Sequence, residues 1–558
     1  MWLAIIVVIV VALIVVAAAV ALQSRPTQKL QVELWYNNDG HYGDTETALA
    51  LVLQNSIEDC GKVSVTLKSD PWAVYRQNWA NQRMPLFLLG WYPDYFDSDD
   101  YISPFLTISG AKSLGSFYNN SQVDQWILEE QTDPSVRADR FQRIQDALAE
   151  DVPYLPLFTG VAQTAYVTGV KNVELHPVTF KWFIVDKPGA TTLKVSTSDK
   201  IISLDPASAY DFFSIEIINQ VFDTLLVYDW KTASLKPGLA TEVPTVANGG
   251  ISADGKTYTF HLRAGLTFHD GTPVTSTQVK NSINRAMRLD IAGSAAFLLY
   301  DVAALTADRT GHDAEAGVID TPDATTIVFK LYRPVSFFND LMAFSVAAPV
   351  PDSYSQTGEQ PSTVGSVIGT GPYELTQHVV NQLVVLQAAF ATYYNANLYQ
   401  ADGIGPIPVM GTVEINIRDS ASALKQDIET KAVDVVFRTL TPVDLVDLQT
   451  RAAALGITVK LGASPQIRYL VFNVNLMPDK RVRQAIAYSV DRAAISQIVF
   501  LGAVSPLYSM IPAELPYSTA VFQSRYGDAQ CTSANALLGP LGYSIGFQAK
   551  LVAMARET

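Results

Sequence analysis

Cysteine is almost absent: the chain of 558 residues carries two, Cys60 and Cys531. That excludes a cysteine-rich scaffold and any four-cysteine zinc site, and leaves room for one disulfide at most. Histidine is scarce too, and the six present show no metal-ligand spacing. His-Glu-x-x-His is missing, so the zinc-protease helix is excluded. Neither catalysis nor a cofactor is expected. Positive charge is in short supply as well: 39 Lys and Arg against 54 Asp and Glu give a net charge of −15, which makes nucleic acid an unsuitable partner.

What remains is ample for folding, with 48% apolar and 17% charged residues and a length that suits roughly three to four compact units. The first 25 residues stand apart, because Trp2 to Leu22 is an uninterrupted apolar run of 21 residues, long enough to span a bilayer. It is longer than a typical signal-peptide core and has no charged start, so an uncleaved anchor is expected, with Ala17 to Ala21 as a small-residue alternative for cleavage. No cysteine lies near it to carry a lipid. Arg25 and Lys29 follow the run and no basic side chain precedes it, which by charge bias alone would keep the body in the cytoplasm.

The most informative stretch runs from Asp254 to Arg285, DGKTYTFHLRAGLTFHDGTPVTSTQVKNSINR. Asp254-Gly255 and Asp270-Gly271 are turns that tolerate positive φ, and Tyr258 to Leu262 alternates like a half-buried strand. Pro273 fixes φ, Thr275 or Ser276 can cap a helix, and Val279, Ile283 and Met287 repeat along its inner face. This order of parts resembles the signature of the family 5 solute-binding proteins, the peptide, dipeptide and nickel receptors of ATP-binding cassette importers. Tyr258 to Arg263, Phe268 to Pro273, Val279 and Ser282 resemble it almost residue for residue. The resemblance implies an α/β fold of the periplasmic-binding-protein type (type II, cluster C), with two main lobes and an extra one closing on a solute. It also implies a body outside the cytoplasm, tethered here by a single N-terminal transmembrane helix, and permease subunits as partners.

The segments come in an order foreign to that family. Strand Leu30 to Tyr36, helix Glu46 to Ile57, strand Val63 to Leu67, the apolar strand Pro85 to Trp91, the acidic loop Tyr92 to Asp100, helix Arg137 to Glu150 and Val152 to Leu157 resemble the family's carboxy-terminal half. After a linker at Asp186 to Thr191, the family's beginning appears: strand Thr192 to Ser196, Leu204-Asp205-Pro206, Gln220 to Leu225 and Pro237 to Ala240. Gly369 to Tyr373 (GTGPY), Asn473, the helix Asp479 to Arg492, Gly502 and Pro506 follow, whereas Gln387 to Tyr394 lacks the usual Arg-Asn-Pro. A circular permutation accounts for this, with a short linker joining the old ends; a truncated or misordered tandem pair is the alternative. Leu30 to Tyr36 and Phe547 to Met554 would compete for one sheet position. By resemblance, lobe I gathers residues 192–228, 366–464 and 158–185, lobe II residues 229–365, and lobe III residues 465–558 with 30–157.

Gly90-Trp91-Tyr92-Pro93-Asp94 is the stretch expected to touch ligand. In the resembling peptide receptors this strand lends its backbone to the ligand, and the Asp three places after the Trp pairs with the peptide ammonium. That makes Asp94 the candidate anion, Trp91 a pocket wall, and Tyr92 and Gly90 contacts. The competing reading makes Asp94, Asp97, Asp99 and Asp100 a solvated acidic loop; calcium is disfavoured by the lack of EF-hand spacing. Tyr210-Asp211-Phe212 stands where such receptors offer a second backbone strip. The loop after Trp35 lacks the arginine with which dipeptide receptors grip the ligand carboxylate, leaving His41 as the nearby group able to turn cationic, while Arg438 reads as an exposed arginine. The family topology puts the helix ending near Cys60 and that starting near Cys531 in one lobe, with their bridging left open. The expected function is a peptide receptor; a receptor for a metal chelate, haem or oligosaccharide, or a structural subunit on a disabled receptor fold, are the alternatives.

Overall fold

The computed structural model describes residues 28–544 apart from Gly40, Pro177, Ala233, 303–304 and 307–310. The expected anchor within residues 1–25 and the strand expected at Phe547 to Met554 lie outside the described residues. Among the described residues no helix is long and apolar enough to cross a membrane.

One sheet of eleven strands runs through the molecule. From edge to edge it is built from Tyr373–Val379, Leu383–Ala388, Thr412–Ile417, Thr192–Thr197, Val435–Phe437, Tyr154–Val167, Ile457–Phe472, Leu86–Trp91, Leu30–Asn37 and Val63–Asp70, with the short Ser505–Pro506 beside Tyr154–Val167. Segments from before and after the Asp186 to Thr191 linker share one sheet and interleave at its middle, where Tyr154–Val167 from before the linker stands between Val435–Phe437 and Ile457–Phe472 from after it. Its two longest members, Tyr154–Val167 and Ile457–Phe472, pair antiparallel, and their register shifts between Ala463 and Ile467, opposite Val161 and Thr159. A bulge there bends both strands at one place, which divides the sheet into two wings.

Each wing has its own core. One is made by residues 32–158 together with 467–538, where Leu34, Phe87, Leu88, Tyr469 and Phe472 are fully buried. Another gathers Phe180 to Phe222 with Tyr354 to Phe437, and a small satellite packs Leu424, Ile428 and Leu448 under Ala165. A further core, Leu225 to Ala347, lies under the three-stranded sheet Thr257–His261, Thr326–Lys330 and Ile319–Asp323.

The signature stretch folds largely as its pattern demands. Gly255 and Gly271 have φ of 68° and 82°, conformations that cost a side chain with a Cβ, so glycine suits both turns. Tyr258 and Phe260 alternate inward, and Val279, Ile283 and Met287 line the buried face of helix Ser276–Leu289. The strand meets Ile251 across the Asp254-Gly255 turn and pairs along its length with Thr326–Lys330, which comes 65 residues later. One detail differs: neither Thr275 nor Ser276 caps the helix, because Thr275 Oγ1 turns to Gln278 and Ser276 Oγ donates to the Asp323 carbonyl at 2.5 Å. The helix instead carries Arg285, which clamps Asp205 of the Leu-Asp-Pro motif with two bonds of 2.8 and 2.7 Å, both side chains nearly inaccessible to water. The carboxylate also accepts from the amides of Ala207 and Gln360 at 3.0 and 2.8 Å, so the buried pair is satisfied on several sides. In the GTGPY turn, a Cβ on Gly369 would lie 2.0 Å from the Val221 carbonyl oxygen, which explains the glycine by close approach.

Leu30–Asn37 is an interior strand, parallel to Val63–Asp70 on one side and to Leu86–Trp91 on the other. The amide of Ser544 donates to the carbonyl of Gln28 at 3.3 Å, so the far end of the described chain lies beside its beginning. Cys60 and Cys531, whose pairing the sequence leaves open, form a disulfide with a Cα separation of 4.7 Å. It joins the helices Glu46–Asp59 and Cys531–Leu538 across 471 positions of sequence.

Candidate functional site

A cleft of about 740 Å³ opens between the wings, and every residue singled out above lines it: His41, Gly90, Trp91, Tyr92, Asp94, Tyr210, Asp211 and Phe212. Strand Leu86–Trp91 brings in the first group. It is held on one side by Ile467 to Phe472, while its pairing with Leu30–Asn37 stops at Phe87. Leu89, Gly90 and Trp91 thus border the cleft with one backbone edge unpaired by any strand. Gly90 is required by crowding, since a Cβ there would lie 2.9 Å from both Arg468 Nη1 and the Tyr42 ring.

Asp94 is 4% exposed and accepts a hydrogen bond from the Tyr210 hydroxyl. Among the described residues no cation faces it within ion-pair distance. Burial pushes its carboxyl up to about 7, against the opposing pull of the Tyr210 bond. The acids that follow are not a solvated loop. Asp99 and Asp100 are wholly buried: Asp99 accepts from Tyr95 Oη at 2.6 Å and Gln131 Nε2 at 2.9 Å, and Asp100 from Trp91 Nε1 at 2.9 Å and the Asp94 amide at 3.2 Å. Asp97 caps the turn Ser98–Tyr101 and pairs with Arg137. Donors from the same strand and loop, Trp91, Tyr95 and the Asp94 amide, together with Gln131 from a later helix, overturn the solvated-loop reading of the acidic run. Burial first, and then the neighbouring Asp94, hold the Asp100 carboxyl far above the ordinary carboxylate range.

On the facing wall, Asp211 caps the helix Phe212–Val221 by accepting from the Ser214 amide at 3.0 Å. Phe212 is already the first residue of that helix, so the expected extended strip is cut short there. Its ring meets Tyr92 edge-on at 4.8 Å and lies under the Arg438 guanidinium at 3.6 Å. Arg438 is therefore a cleft residue and not an exposed one, contrary to expectation. It sits at φ 60°, 3.8 Å from Asp199, with a buried Nη1 that has no hydrogen-bond partner. His41, open to water on one side, stacks on Trp72 at 3.7 Å; its desolvated setting first and nearby Arg468 next push its imidazole down to about 4, away from the cationic form the sequence reading asks of it.

Residues 234–557 match the family described as "Bacterial extracellular solute-binding proteins, family 5 Middle". The chain belongs to that family. It is similar to the glutathione-binding protein GsiB of Shigella flexneri and to that of Escherichia coli K12, 28% identical to each over 369 residues. Those alignments cover 65% of this chain and 64% of the relatives' own length. Among solved structures it is similar to the Escherichia coli murein tripeptide binding protein MppA (21% identity, TM-score 0.46, 64% of this chain and 68% of that one) and to Burkholderia pseudomallei OppA (19%, 0.47, 64% and 68%). Members of the family are solute-binding proteins rather than enzymes.

Within this family member the cleft also contains charges that the sequence did not single out. Lys181, Glu216 and Asp223 line it, buried, and Arg76 lines it from the helix Trp72–Ala80. Burial pushes Glu216 up to about 8 and Asp223 up to about 7, and pushes Lys181 down to about 8. Nothing in their local sequence marks them, because their burial arises from segments far apart in the chain.

Proposed function

We propose that this protein is an extracytoplasmic peptide receptor that closes its cleft on a peptide and hands it to the permease of an ATP-binding cassette importer. The observation that carries the reading is Asp94, a buried carboxylate on the cleft wall that meets a phenol and, among the described residues, no cation. A closed site of low dielectric makes an ammonium arriving there worth far more than on a surface. The unpaired edge at Leu89 to Trp91 supports it, since an extended ligand can add to that edge by main-chain bonds alone. The bulged strands Tyr154–Val167 and Ile457–Phe472 are the proposed hinge, the only long elements shared by the wings in this reading.

The receptor is read as circularly permuted, with the lobe boundaries given above. Support comes from the interleaving of early and late segments in one sheet and from Ser544 beside Gln28. Trp2 to Leu22 is the proposed anchor, attached to the wing that carries Leu30–Asn37.

Mass spectrometry of the natively purified protein tests the ligand class, with a peptide expected. Calorimetry with a mixed peptide pool tests Asp94: Asp94→Asn keeps the shape and loses the charge, and removing one partner of a buried charge pair costs about 2–5 kcal/mol, so affinity is expected to fall at least about thirtyfold. An unchanged affinity, or a bound solute without an amine, would move the reading to a non-peptide receptor; an empty cleft filled by a neighbouring protein would move it to a structural subunit.

A further inference from the structure

Lys181 is 6% exposed and lines the cleft. Among the described residues no carboxylate lies within 4 Å of its ammonium and it makes no hydrogen bond; its one close aromatic neighbour is Phe183, with the ring centroid at 5.6 Å. A buried ammonium in this condition is costly unless something else is meant to meet it. The acids around it are occupied. Asp223 accepts from Tyr393 Oη at 2.8 Å and Tyr394 Oη at 2.7 Å, and Asp229 pairs with Lys236 at 3.1 Å. Glu216 uses Oε2 to accept from the Phe180 amide at 3.0 Å and leaves Oε1 buried with no partner.

The backbone that presents Lys181 is fixed on both sides. Phe180 gives its amide to Glu216 and accepts from Gln220 Nε2 at 2.8 Å through its carbonyl, and the Trp182 amide donates to Gln220 Oε1 at 3.0 Å. Three hydrogen bonds from two buried side chains of the helix Phe212–Val221 thus hold the residues before and after the lysine. Such fixing is what a charged recognition group needs, because the ordering of the loop is complete before ligand arrives.

We infer that Lys181 is the cleft's anion-binding pole and takes the ligand's terminal carboxylate. The inference rests on the peptide-receptor reading and narrows it: the ligand is a zwitterion read at both charged ends, its ammonium at Asp94 and its carboxylate at Lys181. At neutral pH Lys181 keeps most of its charge, and Glu216, raised to about 8, is largely uncharged and so does little to repel an incoming carboxylate. The pole is supplied by a position remote from the loop after Trp35, where an arginine was sought and not found.

The test uses the full-length protein and alanine peptides of two to five residues, each as free acid and as C-terminal amide, titrated calorimetrically at pH 7. The wild type is expected to bind the acid of its preferred length at least tenfold more tightly than the amide. Lys181→Met, close in shape but uncharged, is expected to bind the two within threefold, and Lys181→Arg, which keeps the charge, to retain the preference. Equal binding of acid and amide by the wild type overturns the inference while leaving the peptide reading intact, and so does a tenfold preference that survives in Lys181→Met. Absence of binding by every peptide overturns the peptide reading itself. The wild-type comparison needs no variant, so it decides even where Lys181→Met does not fold.

Discussion

The hydroxyl of Tyr210 donates to the carboxylate of Asp94, joining the wall built on strand Leu86–Trp91 to the wall that begins helix Phe212–Val221. The bond crosses the cleft and stabilises the charged form of Asp94, while burial opposes it with greater weight. Tyr210 therefore occupies the place into which an ammonium would come, and sets how readily Asp94 ionises.

A pH dependence follows with a definite sign. Asp94 must be ionised to hold an ammonium, and its carboxyl titrates at about 7, so affinity for a peptide with a free amino terminus should fall as pH drops through 7. It should fall again above about pH 8, where the peptide's own ammonium, with an ordinary pKa of about 7.7–8.0, and Lys181, pushed down to about 8, lose their protons while Glu216, raised to about 8, becomes charged. Tyr210→Phe removes the bond that favours the charged carboxylate and should move the acid limb to higher pH. Asp94→Asn should abolish that limb. Calorimetry between pH 5.5 and 8.5 on the three proteins reads all of this.

Asp100 separates shape from charge. Held neutral by burial and by Asp94, it still accepts from Trp91 Nε1 and from the Asp94 amide. Asp100→Asn preserves an acceptor and a donor, and should change stability by less than about 1 kcal/mol; Asp100→Ala strands two buried N–H groups and should cost about 2 kcal/mol or more. Urea denaturation midpoints at constant slope measure the difference. Because the indole of Trp91 is oriented by Asp100, only the alanine variant should also weaken peptide binding.

Opening the Cys60–Cys531 disulfide should lower stability by about 2–4 kcal/mol. Neither cysteine lines the cleft, so peptide affinity of the reduced protein should stay within threefold of the oxidised one. Thermal melts and titrations with and without reductant check both statements, and the double variant Cys60→Ala, Cys531→Ala should reproduce the reduced behaviour.

Much of the secondary structure was legible because it follows local rules. Strand Leu86–Trp91 announces itself by its apolar run, and Val279, Ile283 and Met287 by their spacing. Cleft residues were legible where a motif carried them, as with Trp91 and Asp94. The rest depends on how a loop folds back on its own neighbours, or on partners that sequence distance hides. Asp99 and Asp100 read as solvated because acids in a row usually are; here Tyr95, Gln131 and Trp91 enclose them. Arg438 read as exposed because nothing nearby in sequence shows that Phe212 will lie beneath it. Lys181 gave no signal at all, since its importance comes from clamps on a helix more than thirty residues away and from a partner that the fold does not provide.

The disulfide and the Asp186 to Thr191 linker together give the body two covalent routes between its halves. Pro188 and Gly189 are exposed, so the linker is the accessible one of the two. A protease that cut there would produce two polypeptides, each contributing strands to the same sheet, yet still tied through Cys60 and Cys531 as one molecule. Such a nicked protein would be a heterodimer in composition and a monomer in behaviour, separable only by a reductant together with a denaturant, and its cleft would not register that the peptide chain had been broken.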